Sequence, residues 1–275
     1  MGNKIGVGII TCDRLEFFVK CAKSVINNLQ KYKDHELVII NDGYKKLETP
    51  NVNCINTSGR IGVGKAKNLA FKELLSKGCD HIFLIEDDII IKDSNVFKAY
   101  IDAKEKTGIQ HFMFGYHGPA NKNGISGGKP VPRFVVNYGN GLEIAINQHS
   151  VGAFCYYSKQ VLGEVGLIDE DFVNAFDHVD HDYRIAKAGY CTPYWNWPDL
   201  ANSIDYLEEI ECSENSSTIR PNKDWKENIL KGAEHFQKKH GHSPAWQNAV
   251  PDSSKEQVIA ILKQIKNENK SSSSK

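Results

Sequence analysis

Apolar runs and helical stripes take turns along the first hundred residues. Ile5–Ile10, Leu37–Ile40 and Ile82–Ile85 are short, continuous and rich in β-branched side chains, as strands buried on both faces are. Between them, Leu15–Leu29 and Val63–Leu75 place apolar residues every three to four positions, which predicts helices. In the first of these, Phe17, Phe18, Cys21, Val25 and Leu29 form one stripe suited to packing on a sheet. Strands alternating with helices of this length predict right-handed crossovers and an α/β architecture, a mostly parallel central sheet flanked by helices.

The pattern then loosens into turn signals, Gly115-Tyr116-His117-Gly118-Pro119 and Asn123-Gly124. A loop of that length inside a compact domain is usually functional. Arg133–Tyr138 and Leu142–Ile146 flank Asn140-Gly141, a hairpin signal, and Val151–Tyr157 reads as a further strand. Two helical stretches, Trp225–Lys239 and Glu256–Lys266, follow an Asn- and Ser-rich break near 213–218. Ser271–Ser274 reads as disorder. The chain thus divides into an α/β domain over 1–212, a C-terminal helical extension or lid over 213–268, and a disordered tail over 269–275.

Composition narrows the function classes. Lysine plus arginine equals aspartate plus glutamate at 34 each, so no overall field draws the chain to nucleic acid or anionic membrane, and any phosphate binding has to be local. No apolar stretch approaches the roughly 20 residues of a bilayer span. The N-terminus runs into a strand without a signal-peptide core, which predicts a cytoplasmic protein, free or peripheral at the inner membrane face. Seven cysteines without a C-x-x-C pair read as small buried apolar residues in a reducing compartment.

The chemistry gathers at strand ends. Glu86-Asp87-Asp88 directly follows the apolar run ending at Ile85, where carboxylates are costly to shield unless a cation or basic ligand meets them. Oxygen ligands of this kind suit Mg2+ or Mn2+ better than zinc; the plain alternative is a solvated acidic turn. Asn41-Asp42-Gly43 ends a second strand and Thr11-Cys12-Asp13-Arg14 the first, so all three lie along one edge of a parallel sheet, the default ligand crevice. Gly62, Gly64 and the cations Arg60, Lys65 and Lys67 surround a helix start that suits a pyrophosphate.

In this order the motifs resemble the glycosyltransferases of the GT-A fold, specifically the inverting, nucleotide-sugar-dependent family two, over about residues 4 to 190. Thr11–Arg14 stands where that family has a T-x-N-R-like run, Asn41-Asp42-Gly43 matches its D-D-G element, and Gly62–Asn68 looks like its G-x-x-x-A-R-N stretch with Lys67 in place of arginine. Glu86-Asp87-Asp88 occupies the D-x-D position. Gly152–Phe172 is similar to a segment beside the acceptor site, and Asp177–Arg184 to the E-D-x-D-x-x-x-R helix, with His178 on the usual catalytic aspartate.

The resemblance implies a donor-binding half over about 1–110 and an acceptor half over about 111–212. It implies donor contacts from Thr11, Asp13, Arg14, Asp42, Gly62, Lys67, Asn68, Glu86 and Asp87. It implies a Mn2+ or Mg2+ ion held by Asp88 with Glu86, with His181 or His240 as a further ligand. An inverting transfer needs a base within reach of the acceptor hydroxyl, and Asp177, His178 and Asp180 are the candidates, with Asp177 first. Helical spacing lets Asp177, Asp180 and His181 converge with Arg184 as anchor, while Asp182 points elsewhere. A second metal site at the His178-x-x-His181 pair, although zinc normally wants a more closed set of ligands, and a purely structural salt-bridge face are the other readings of this helix. His240-Gly241-His242 reads as part of a lid or as a helix end, and Trp195-Asn196-Trp197-Pro198 as an acceptor wall or as core.

The implied reaction moves a hexosyl or N-acetylhexosaminyl unit from a UDP-sugar to a hydroxyl of a glycan or related acceptor, in surface polysaccharide synthesis. A nucleic-acid acceptor is disfavoured by the neutral charge. The rivals are a sugar-phosphate nucleotidyltransferase, whose glycine-rich loop after strand one is missing here, and a nucleotide- or glycan-binding module, for which the acids at 86–88 and 177–182 are needless.

Overall fold

The computed structural model describes residues 3–57, 59–123, 128–173, 175–210, 224–244 and 254–272. The expected break at 213–218 and residues 273–275 of the tail lie outside them. The central sheet has six strands in the order β3-β2-β1-β4-β11-β6. Strands β1 (Ile5–Thr11), β2 (His35–Asn41), β3 (Asn53–Asn56) and β4 (His81–Glu86) run parallel. Strand β11 (Phe154–Ser158) is antiparallel to both β4 and β6 (His111–Met113). The expected α/β, mostly parallel architecture is thus observed.

Every residue of β1 is buried, and its glycines are there for a packing reason. A Cβ on Gly6 would stand 2.9 Å from Cys79, and one on Gly8 2.9 Å from the Ala70 Cβ. Helix α2 (Val63–Ser76), which carries Ala70 and Leu74, can therefore lie directly on the strand. Helix α1 (Leu15–Leu29) buries Phe18, Cys21, Val25 and Leu29 from the predicted stripe, whereas Phe17 is only half-buried. Helix α3 (Val96–Thr107), which the sequence reading did not single out, inserts Phe97 and Tyr100 against Phe83 of β4.

A second sheet, β12-β10-β9, is formed by Trp197–Leu200, Glu143–Asn147 and Phe134–Asn137. β9 and β10 make the hairpin predicted around Asn140-Gly141, and Gly139, Asn140 and Gly141 all take positive φ in its turn. Short ladders join β5 (Ile89–Ile91) to β13 (Leu207–Glu209) and β7 (Lys122–Asn123) to β8 (Lys129–Pro130). Two short helices, α4 (Lys159–Val165) and α6 (Ser203–Tyr206), and three longer ones, α5 (Asp177–Lys187), α7 (Trp225–His240) and α8 (Lys255–Ser272), complete the described chain. Helix α8 continues through Ser272, so the first residues of the expected 269–275 tail are helical. The six cysteines among the described residues are free, and no described helix is long and apolar enough to cross a membrane.

Asp199 of β12 fastens the two sheets together. Fully buried, it accepts from Tyr100 Oη (2.6 Å), Ser203 Oγ (2.6 Å) and the backbone N–H groups of Gly115 (3.0 Å) and Leu200 (2.8 Å). The carboxylate thereby fixes the start of the loop after β6. Asp199→Ala strands those donors, and urea unfolding should show a loss of about 3–5 kcal/mol; a loss under about 1 kcal/mol would contradict this anchoring role.

Candidate active site

Register sets the site. Thr11 pairs with Asn41 and Ile10 with Glu86, so β1, β2 and β4 end level with one another along the carboxyl edge. Since β2 and β3 lie to one side of β1 and β4 to the other, the chain's winding reverses here, and a crevice opens. It is a cleft of about 400 Å³ lined by Thr11, Cys12, Arg14, Asp42, Tyr44, Arg60, Gly62, Glu86 and Asp87. Val173 and, from the start of α7, Asp224 and Asn228 close the opposite wall.

At the β1–β4 junction Thr11 Oγ1 donates to Asp87 Oδ2 at 2.6 Å. The Arg14 guanidinium spans both acids of the turn, bonding Asp87 Oδ1 and, at 3.1 Å, Asp88 Oδ2. His117, from the loop after β6, brings its Nε2 to 3.3 Å from the other Asp88 oxygen. Burial pushes the Asp87 carboxyl up to about 6 in spite of Arg14 and Thr11. Burial also opposes charge on Asp88, but His117 and Arg14 outweigh it and hold that carboxyl well below the usual range. One Asp88 oxygen beside the His117 imidazole offers two donors to a divalent cation and leaves its other positions for phosphate oxygens and water.

On the β2 side, Asp42 does not stand free in the cleft. Its oxygens accept from the N–H groups of Ile61 (2.8 Å) and Gly62 (3.0 Å) and from Thr57 Oγ1 (3.0 Å). It therefore shapes the loop that leads into α2 and takes up the Gly62 N–H at the helix start. Asp13, at φ 55°, accepts from the Tyr44 N–H (2.9 Å) and from Arg60 (3.2 Å). Arg60 in turn lies 5.5 Å over the ring of Tyr44, which is 76% exposed on the cleft rim. The sequence reading missed Tyr44; its place directly after Asn41-Asp42-Gly43 was the available signal.

Lys67 links this edge to helix α5. Its Nζ is 2.8 Å from Glu86 Oε1, 3.1 Å from the Gly152 carbonyl and 4.0 Å from Asp177 Oδ2. Burial by itself would lower its pKa, but Glu86 and Asp177 more than reverse that and hold the ammonium charged. With a side chain only 4% exposed, Lys67 is engaged with these carboxylates rather than turned into the cleft. Asn68, on the next residue, is likewise turned away from the cleft: its amide bonds the Ile168 backbone and Glu170.

The acids of α5 part company. Asp177 faces Lys67, and its other oxygen lies 3.7 Å from His178 Nδ1. Burial raises and His178 and Lys67 lower the Asp177 pKa, to about 2. Asp180 is engaged by Arg184 Nε at 2.9 Å, Lys239 Nζ at 3.0 Å and His240 Nε2 at 2.7 Å, so it latches α7 onto α5. Asp182 points elsewhere, as expected, to His111 (3.0 Å) and Ser150. His181 is fully buried on the Gly166 carbonyl (2.9 Å) and against Tyr157, and burial lowers it to about 3. His181 and His240 are thus held by other partners than Asp88; among the described residues the histidine beside Asp88 is His117. Trp197 is core, with no exposed surface to form an acceptor wall.

No family model matches the chain. In sequence it is 26% identical over 234 residues to an uncharacterised glycosyltransferase of Acanthamoeba polyphaga mimivirus, a match covering 78% of this chain and 85% of that protein. In structure it is similar to S. aureus TarS 1-349 in complex with UDP-GlcNAc, with TM-score 0.51, 12% identity and coverage of 95% of this chain and 71% of that one. It is also similar to GalNAc-T7 with UDP, GalNAc and Mn2+, with TM-score 0.57, 14% identity and coverage of 77% and 44%. The chain spans about half the length of other solved structures that it matches. The fold is that of the GT-A glycosyltransferases, as the order of the motifs implied.

Lys67→Met leaves Glu86 and Asp177 without their shared cation and should cost about 3–5 kcal/mol at pH 7. Asp177 has a folded pKa of about 2 against an ordinary 3.8, so its pairing contributes stability above that ordinary value and loses it as pH falls through the window between the two. The gap between wild type and variant in urea unfolding should therefore narrow from pH 7 to pH 3; an unchanged gap would remove the ion pairs from the explanation.

Proposed function

We propose that the chain is an inverting glycosyltransferase of the family-two kind. It transfers a hexosyl or N-acetylhexosaminyl unit from a UDP-sugar to a hydroxyl of a glycan in surface polysaccharide synthesis, with a divalent cation as cofactor and in the cytoplasm. The observation that carries this reading is the joint placement, at one sheet edge, of a cleft floored by Glu86 and Asp87 and of the Asp177-His178 pair tied to Glu86 through Lys67. The similarity to a viral glycosyltransferase, and to structures holding UDP-GlcNAc or UDP with Mn2+, supports the same donor class.

In this reading the uracil lies against Tyr44 at the rim, within the loop that Asp42 organises, and Arg60 and the Gly62 region face the diphosphate. Asp88 would hold a Mn2+ or Mg2+ ion, which when bound offsets the charge that develops on the departing diphosphate. The acceptor hydroxyl meets His178. Its side chain is 27% exposed, against 4% for Asp177, so the imidazole is the group that an acceptor reaches while the carboxylate behind it orients the ring and favours its protonated form. The proton leaves the hydroxyl for the imidazole as the oxygen attacks the anomeric carbon and the nucleoside diphosphate departs on the far side.

Release of UDP from a panel of sugar nucleotides, with and without Mn2+, tests the proposal. Asp88→Asn should abolish metal-dependent turnover in a variant that still folds, as near-ultraviolet circular dichroism would show, and full activity in that variant would remove the metal role. His178→Ala should lower kcat by about a hundredfold or more with UDP affinity retained. Normal transfer by that variant would return the base to Asp177.

A further inference from the structure

Asp88 divides its two oxygens between two partners, and the division is informative. Oδ2 receives Arg14 (3.1 Å), while Oδ1 faces His117 Nε2 at 3.3 Å. Two donors each about 2.1 Å from one ion, set at right angles around it, stand about 3.0 Å apart. The Asp88–His117 spacing is close to that bite, and Arg14 sits on the other oxygen.

The pair is also held in place from both sides. The Asp88 backbone carbonyl accepts from the Ile210 N–H at 2.7 Å, immediately after β13, and β13 pairs along β5, which follows Asp88. The same short strand fixes the loop of His117: Glu209 accepts from the Gly118 N–H and from Lys122. On the other flank the Gly115 N–H is bound by the buried Asp199. The carboxylate and the imidazole come from segments nearly thirty residues apart, and one clamp sets their spacing.

We propose that His117 is a direct ligand of the divalent cation, completing with Asp88 a two-residue centre that selects Mn2+ over Mg2+. This rests on the transferase reading above. Two protein ligands leave the remaining positions for diphosphate oxygens and water, as such ions require. An imidazole nitrogen in the set favours a transition ion, because Mg2+ binds oxygen donors and takes nitrogen poorly.

Mn2+ binding to the full chain, followed by electron paramagnetic resonance in the presence of UDP, tests the assignment without any turnover. His117→Ala should weaken Mn2+ binding by at least about tenfold, the loss that even an outer partner's removal typically brings. His117→Asp should regain binding and accept Mg2+ nearly as well as Mn2+, which guards against a variant that merely misfolds; near-ultraviolet circular dichroism checks the fold of each. Unchanged Mn2+ affinity in His117→Ala overturns the ligand role and leaves the transferase reading standing. Wild-type protein that transfers sugar yet binds no Mn2+ beside UDP also overturns it. Absence of UDP release with any donor, alongside intact His117-dependent Mn2+ binding, would instead count against the transferase reading and for the metal centre.

Discussion

The Lys67 ammonium lies where burial alone would strip its charge, and it keeps that charge because Glu86, Asp177 and the Gly152 carbonyl surround it. Each of those oxygens belongs to a different part of the fold: the end of β4, the first turn of α5 and the approach to β11. A cation in a low-dielectric setting tolerates little displacement of its counter-charges, so their relative positions are set tightly. Glu86 and helix α5 are thereby held at a fixed spacing across the sheet edge. Gly152 takes part through its lack of a side chain, since a Cβ there would stand 3.1 Å from both Lys67 Nζ and the His178 ring.

A second layer of charge holds the cover in place. Lys239 and His240 at the end of α7 close on Asp180, and His235 and Lys239 meet Asp169. Gly232 lets the middle of the same helix approach Ala175 and Phe176. The start of α7 then reaches the cleft with Asp224 and Asn228. The α7 helix is thus held on α5 by contacts that include ion pairs, which are weakened by salt where they are exposed.

Much of the scaffold was legible because backbone pattern reports backbone structure. The continuous apolar runs became the parallel strands, the Leu15–Leu29 periodicity became α1, and Asn140-Gly141 became a hairpin turn. The location of Glu86-Asp87-Asp88 at a strand end followed from the same logic. Side-chain direction was not legible. Lys67, Asp42 and Asn68 sit where a donor-binding motif would put them, yet each is consumed by internal partners that lie far away in sequence. The helix spacing that grouped Asp177, Asp180 and His181 on one face was correct as geometry, but that face is wide enough to meet three separate sets of partners. His117 lay hidden in a turn-rich loop, because only the tertiary anchors Asp199 and Glu209 bring it to Asp88.

In the proposed function this sheet edge binds a nucleoside diphosphate and a divalent cation together. Crystals of the protein grown with UDP and Mn2+, measured at the manganese absorption edge, test it most directly. The account predicts one anomalous peak beside the Asp88 carboxylate, with the diphosphate running from it along the cleft toward Arg60 and Tyr44. Nucleotide bound with no peak at Asp88, or a peak remote from the Glu86–Asp88 turn, would contradict it.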